Sequence, residues 1–434
     1  MRIYLDYASS TPVHPEVELA MRPYFSLAFG NPGSLHSFGQ EAIAALDRGR
    51  ETIAAALGVD FREIIFTGSA TEANNLALRG AIKVFKANYP SVIPKIIVSS
   101  IEHESILETV EDLKTEGVEV VYLSVQEGGL VDLKKLESFL DERTILVSIM
   151  YANNEIGTIE PIAEISKIIS DFKASQISLA GAAMRPSGHG LPAERGGAQG
   201  ASPARPLAGR PSGSREGKFG WLYPLFHTDA SQAFQFLDCN VKKLGVDLMT
   251  ISAHKIYGPK GVGALYIRNL SPKTYHLKPI ITGGGQEFSL RSGTENVLLV
   301  VGFAKAVELI QKNKEREAKR LRELSEYFLE GLKKIYPGVE LNGPKEKGER
   351  LPNILNIYFP DYEAEDLTIK FDLRGLAVST GSACRSRSAE PSYVLKALGF
   401  TGDRIKKSLR ISFGRPTTKS EIDNGLGIIK IILK

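Results

Sequence analysis

Between Glu63 and Tyr266 short apolar runs alternate with helical stretches, and that alternation restricts the chain to few folds. Glu63-Ile64-Ile65-Phe66-Thr67 reads as a strand and Thr71 to Gly80 as the helix after it. Lys95 to Ser99 is the next strand, His103 to Gly117 a helix, and Val118 to Val125 a strand. Thr144 to Met150 is nearly all apolar, as expected of a parallel strand covered on both faces. Strand and helix in alternation mean βαβ units with right-handed crossovers, hence an α/β sheet sandwiched by helices. In such sheets ligands gather at the carboxyl ends of the strands.

A chain of 434 residues exceeds one ordinary core, so two domains are expected. A charged helix is predicted from about Val297 through Lys334, linking the sheet domain to a smaller α+β domain. That second unit holds Asn353 to Phe359, a loop around Cys384 and Leu409-Arg410-Ile411-Ser412. Pro391 and Gly399 bracket a short helix after the loop.

Ser175 to Gly220 breaks the pattern. It is rich in Gly, Ala, Pro, Ser and Arg without apolar periodicity, the composition of a flexible segment. Leu225-Phe226-His227-Thr228-Asp229 resumes the strand series at once, so the stretch is read as an insertion within one domain. Placed between a helix and the next strand, it leaves from the amino end of the sheet, away from any site at the carboxyl ends. Its Arg185, Arg195, Arg205, Arg210, Arg215 and Lys218, set against Glu194 and Glu216, account for the whole net charge of +4. The remainder is neutral and gives nucleic acid no basic field to follow. No apolar run suits a signal peptide or a membrane span. Two cysteines, Cys239 and Cys384, allow no disulfide framework and fit a reducing cytoplasm. The seven histidines show no metal-ligand spacing.

The chemistry sits in motifs that follow the predicted strands. Thr67-Gly68-Ser69-Ala70-Thr71-Glu72 lies where a strand becomes a helix, and small residues there let backbone N–H groups reach a phosphate. The same residues would serve as a plain N-cap. His103 follows the strand ending near Ser100; it can open a helix or stack on a flat cofactor. Asn153-Asn154-Glu155 places polar groups after the most apolar strand. Asp229 at a strand end can hold a pyridine nitrogen protonated, with Gln232 in reach of a ring hydroxyl; helix capping is its ordinary alternative. Ser252-Ala253-His254-Lys255 sets a lysine between a hydroxyl, an imidazole and the glycine-rich Gly258-Pro259-Lys260-Gly261. Those are the parts needed to hold an aldehyde cofactor covalently and grip its phosphate. Gly381-Ser382-Ala383-Cys384 puts a thiol among small and polar neighbours, where a buried structural cysteine would want an apolar pocket.

Taken with Leu5-Asp6-Tyr7-Ala8, Gly30-Asn31-Pro32-Gly33-Ser34-Leu35-His36 and Gly283-Gly284-Gly285-Gln286-Glu287 with Arg291-Ser292-Gly293-Thr294, these motifs resemble the cysteine desulfurases of the NifS/IscS type. Those are class V enzymes of the aminotransferase fold, dependent on pyridoxal 5'-phosphate. The resemblance covers the chain outside the insertion. It implies fold type I, with a mostly parallel seven-stranded sheet flanked by helices in a large domain, 14–314, and a small α+β domain, 1–13 with 315–434. It also implies that Lys255 holds the cofactor, Asp229 pairs with the ring nitrogen, Gln232 meets the ring hydroxyl and His103 stacks on the ring. Ala70, Thr71, Ser252 and His254 would bind the phosphate, with Thr294 arriving from the other subunit of a homodimer. Asn154 would lie beside cofactor and substrate, and Asn31 and Arg410 would grip the substrate carboxylate. Cys384, as thiolate, would take sulfur from L-cysteine, leaving L-alanine and a persulfide. An iron–sulfur scaffold protein or a tRNA-thiolation enzyme would then receive the sulfur.

The distance from Asn154 to Asp229 exceeds the family pattern by about the length of the insertion. Two other readings stay open: a different class V enzyme, such as an aminotransferase or selenocysteine lyase, and a disabled scaffold of a sulfur pathway. Cys384 speaks against transamination, which has no use for it. The intact set Lys255, Asp229, His103 and Cys384 speaks against a disabled site.

Overall fold

The computed structural model describes residues 2–183 (side chains to 176), 223–269, 277–346, 348–381 and 391–433. Among these the strands run β1 Ile3–Tyr4, β2 Ile64–Thr67, β3 Lys95–Ser99, β4 Glu119–Leu123, β5 Thr144–Ser148 and β6 Leu225–Asp229. They continue with β7 Leu248–Ser252, β8 Gly263–Ile267, β9 Glu340–Asn342, β10 Ile354–Tyr358, β11 Leu376–Ala377 and β12 Ser408–Ser412.

Seven of them form one sheet in the order β2-β8-β7-β6-β5-β3-β4. β7-β6-β5-β3-β4 are parallel, and β8 runs antiparallel to both β2 and β7. β2, β3, β5, β6, β7 and β8 are buried along their whole length, as β-branched and apolar strands covered by helices on both faces should be. The carboxyl ends of β3, β5, β6 and β7 therefore open on one edge. At those ends or shortly beyond them stand His103, Asn153-Asn154, Asp229 and Ser252. A three-stranded antiparallel sheet, β12-β10-β9, and the parallel pair β1-β11 make a second, smaller assembly. Asp6 bridges to Ser412, which ties the beginning of the chain to β12.

Three expectations need correction. The helix predicted over Thr71–Gly80 spans Ala70–Asn88, because Ala77, Leu78, Ala81, Ile82 and Phe85 extend its buried face. The helix predicted over 297–334 is two, Val297–Gln311 and Lys314–Ile335. The first packs against the helices Ser37–Leu57 and Pro15–Met21 and the second against Lys419–Ile432, so one straight rod could not serve both. Asn313 makes the turn, its side chain donating to Leu309 O at 2.9 Å. The insertion was expected to lack structure from Ser175, yet the helix that begins at Ile162 runs to Ala183. Its last residues, Leu179, Ala180, Ala182 and Ala183 among them, are good helix formers. The rest of the insertion lies outside the described residues.

Candidate active site

A cavity of about 200 Å³ opens at the carboxyl edge of the large sheet. Its wall collects Ala70, Thr71, His103, Asn154, Asp229, Gln232, Ser252, His254, Lys255 and Arg410. Residues scattered over the sequence thus converge, although Arg410 belongs to the other sheet.

One end of the cavity is the start of the helix Ala70–Asn88. Ser69 caps it, its Oγ accepting from Glu72 N at 3.1 Å. Glu72 in turn accepts from Gly68 N at 2.8 Å and from Arg291 Nε at 2.8 Å, which fixes the turn before the helix. Gly263 on β8 must be glycine, since a Cβ there would come within 2.9 Å of Ala70 N. First-turn N–H groups have no partner within their helix and attract an anion. Ser252 Oγ lies 2.9 Å from His254 Nδ1, beside the same turn. Burial, with Lys255 and Lys260 nearby, pulls the His254 imidazole down to about 4. It is neutral at physiological pH and can donate through one ring nitrogen.

Asp229 ends β6 and is buried, with Ser231 N donating to Oδ1 at 2.9 Å and Asn74 Nδ2 to Oδ2 at 2.8 Å. His103 caps the helix Glu104–Thr115, its Nδ1 accepting from Ser105 N at 3.1 Å. Burial lowers its pKa against the opposing pull of Asp229. Gln232 Nε2 donates to Ala8 O at 2.9 Å.

Lys255 Nζ donates to Ala8 O at 2.6 Å and Ser9 O at 2.8 Å. The segment Asp6–His14 forms a strap across the lysine, Thr11 N donating to His254 O and His14 N to Tyr257 O. Tyr257 holds a left-handed φ of 65°, costly for a residue with a side chain. Thr11 Oγ1, accepting from Tyr257 N at 2.8 Å, helps to keep it there. Arg410 is 1% exposed; its guanidinium donates to Asn154 O at 2.9 Å, to Asp6 Oδ1 at 2.8 Å and to Ser9 Oγ at 2.5 Å. The strap thereby joins the lysine to the arginine.

Two expected residues lie elsewhere in the chain. Asn31 sits on an exposed turn, its Oδ1 accepting from Gly33 N at 2.9 Å. Thr294 lines a second cavity with Thr67, Gly68, Glu287 and Arg291. Cys384 lies outside the described residues, but the chain on either side of it is placed. Ser379 exchanges two backbone hydrogen bonds with Arg410, and Ser392 Oγ donates to Glu155 Oε2 at 2.6 Å. Cys239 is buried, and burial pushes its thiol up to about 12, the state of an inert core residue.

Sequence reasoning missed Asn74, Ser105 and Ser231, and gave no part to the carbonyls of Ala8 and Ser9. Asn74 left one trace, an amide among Ala73, Leu76 and Ala77 on a face that is otherwise apolar and buried. Asn153, quoted with its neighbours, is structural: its Oδ1 accepts from Glu155 N and Ile156 N.

These residues fit a phosphorylated pyridine aldehyde. An anion-favouring helix start, a carboxylate and a lysine share one cavity. Ser231 Oγ and Asn154 Oδ1, both on its wall, are buried polar atoms without a hydrogen-bond partner.

The comparisons agree. The class-V aminotransferase family model matches residues 3–182 and 224–424, and its gap coincides with the insertion. A cysteine desulfurase IscS from Dictyoglomus turgidum is 40% identical over 432 residues, covering 100% of this chain and 94% of the relative. The Homo sapiens cysteine desulfurase is 38% identical over 423 residues, covering 97% of this chain and 79% of its own. Among solved structures, a NifS-like protein superposes with a TM-score of 0.81 at 32% identity, covering 100% of this chain and 99% of that one. A structure described as SspA in complex with cysteine gives 0.71 at 31% identity, covering 95% and 98%. The chain belongs to the class-V aminotransferase family, among its pyridoxal-phosphate-dependent cysteine desulfurases.

Proposed function

We propose that the chain takes sulfur from L-cysteine, releases L-alanine and keeps the sulfur as a persulfide on Cys384. The observation that carries this reading is the single cavity shared by Lys255, Asp229 and Arg410, beside which the chain bearing Cys384 begins. When bound, pyridoxal 5'-phosphate supplies an aldehyde that takes up an amine and a ring that accepts an electron pair. Lys255 Nζ would hold the cofactor and would take up the substrate Cα proton. Asp229 pairs with the ring nitrogen, His103 stacks on the ring and Gln232 meets the ring hydroxyl. Ala70, Thr71, Ser252 and neutral His254 bind the phosphate. Arg410, already oriented by Asp6, holds the substrate carboxylate, and Asn154 lies beside the substrate; Asn31, on an exposed turn outside the cavity, would reach that carboxylate only after the turn moves. Cys384 receives the sulfur as thiolate, the nucleophilic form.

The working unit is a homodimer. Thr294 lines a cavity apart from Lys255, which suits a residue that serves the partner's phosphate. Phe25, Leu27, Phe29 and Leu35 around Asn31 are 67%, 75%, 68% and 94% exposed, an apolar run that a second copy would cover. Residues 14–314 form the large domain and 1–13 with 315–434 the small one. An iron–sulfur scaffold or a tRNA-thiolation enzyme is the acceptor, and the cytoplasm is the compartment. No helix among the described residues is long and apolar enough to cross a membrane.

Borohydride reduction of the loaded protein followed by peptide mapping tests the assignment of the lysine. The cofactor mass should appear on the peptide containing Lys255. Its appearance on another lysine would overturn the assignment.

A further inference from the structure

Behind the cavity wall runs a buried polar chain to which no catalytic role has been given. Asn74, in the helix Ala70–Asn88, is 0% exposed. Its Nδ2 donates to Asp229 Oδ2 at 2.8 Å and to Ser105 Oγ at 2.9 Å. Ser105 Oγ lies 2.9 Å from His103 Nδ1, which also accepts from Ser105 N at 3.1 Å. Asn74 Oδ1 is buried with no partner. Such an orphaned acceptor is a cost, which the two bonds donated by the same amide have to offset.

The donors set the direction of every bond. Both hydrogens of the Asn74 amide are committed, so Asp229 Oδ2 and Ser105 Oγ must accept. Ser105 then has its own hydrogen left for His103 Nδ1. A nitrogen that receives the Ser105 hydroxyl and backbone N–H has no room for a proton, so the ring hydrogen sits on Nε2. The opposite tautomer would point Nδ1–H at the backbone N–H.

We propose that Asn74 is a positioning residue: directly it orients the Asp229 carboxylate, and through Ser105 it fixes the tautomer of His103. One amide would then match the group that pairs with the cofactor's ring nitrogen to the group that stacks on its face. The proposal rests on the roles given above to His103 and Asp229. The charges facing His103 are Asp229 and Glu104, which favour its protonation, and Lys255, which opposes it; burial outweighs them. Neutral His254 lies on the same cavity wall.

The test uses the cofactor-free protein labelled with ¹⁵N in histidine, the His103 signals being assigned by their loss in His103→Gln. Wild type should show the Nε2–H form and titrate below an ordinary histidine. In Asn74→Ala the Ser105 hydroxyl is free to turn and accept, so the His103 midpoint should rise by about one pH unit. Ser105→Ala should also alter the ring-nitrogen shifts, while leaving the bond from Asn74 to Asp229. It serves as well if Asn74→Ala folds poorly. After loading with pyridoxal phosphate, Asn74→Ala should change the pH dependence of the visible absorbance and Ser105→Ala should not. Ring-nitrogen shifts and midpoints equal to wild type in both variants would overturn the proposal. Altered shifts with an unaltered spectrum in Asn74→Ala would overturn the link from Asn74 to Asp229, whereas the pairing of Asp229 with the ring nitrogen would fail separately, if Asp229→Asn left the spectrum of the loaded protein unchanged.

Discussion

A buried ion pair helps to hold the segment that carries Thr294, and breaking it should be expensive in a way that removal of its second charge repairs. Arg50 Nη1 and Nη2 each meet a Glu287 carboxylate oxygen at 2.7 Å, with side chains only 4% and 2% exposed. Nη1 also donates to Ile64 O at 2.5 Å, and Glu287 accepts from Phe66 N at 2.8 Å. The anchored residues are strained: Glu287, Phe288 and Ser289 have φ of 47°, 55° and 65°. Each left-handed non-glycine residue costs about 1–3 kcal/mol, and the pair anchors the first of the three. Arg50→Met strands the Glu287 carboxylate with one N–H donor. Breaking such a pair from one side costs about 3–5 kcal/mol, less whatever strain the loop then sheds. Glu287→Leu in the same background removes the stranded charge and should restore most of the loss. The two substitutions should therefore couple by about 2–4 kcal/mol in a urea double-mutant cycle at fixed protein concentration. Cofactor affinity should fall in Arg50→Met as well, because Thr294 rides on the released segment. Additivity of the two substitutions within about 0.5 kcal/mol would refute the reasoning.

Three further outcomes follow from the geometry. Mixed dimers of Lys255→Ala and Thr294→Ala should regain close to half the wild-type activity, since one site then has an intact lysine and an intact partner threonine. No recovery would mean that Thr294 acts within its own chain. Burial raises Glu160 from 4.5 to about 8, so its contribution to stability is complete below the lower value and lost as pH rises through the upper. That is on the order of 5 kcal/mol, and Glu160→Gln should hold its urea midpoint through this range while wild type falls; parallel curves would contradict it. Replacing residues 184–222 by a short linker should leave alanine formation unchanged, because β6 begins at Leu225 and its catalytic end is Asp229. A loss of turnover without a loss of folding would show that the insertion serves the site.

The sheet was legible because its strands are short, apolar and buried on both faces, which a linear pattern records. Helix ends were harder to read. The break at Asn313 depends on which neighbours each half packs against, and that information lies far away in sequence. The cavity residues could be read where chemistry forces an unusual residue type after a strand, as with Asp229, His103 and Lys255. Arg410 could be assigned only by resemblance, since nothing local marks a buried arginine in β12 as part of a site at the edge of another sheet. Asn74 and the carbonyls of Ala8 and Ser9 could not be assigned at all. A carbonyl has no sequence signature, and an asparagine on a helix shows its purpose only when Asp229 and Ser105 are seen beside it.

The central claim is that Lys255 and Cys384 divide the labour of removing sulfur from L-cysteine. The measurement that tests it most directly is L-alanine and persulfide formed from L-cysteine by the pyridoxal-phosphate-loaded protein, beside Lys255→Ala and Cys384→Ala. Wild type should yield both products, Lys255→Ala neither, and Cys384→Ala no persulfide. A loaded wild type that makes no alanine, or a Cys384→Ala variant that still forms the protein persulfide, would contradict the account.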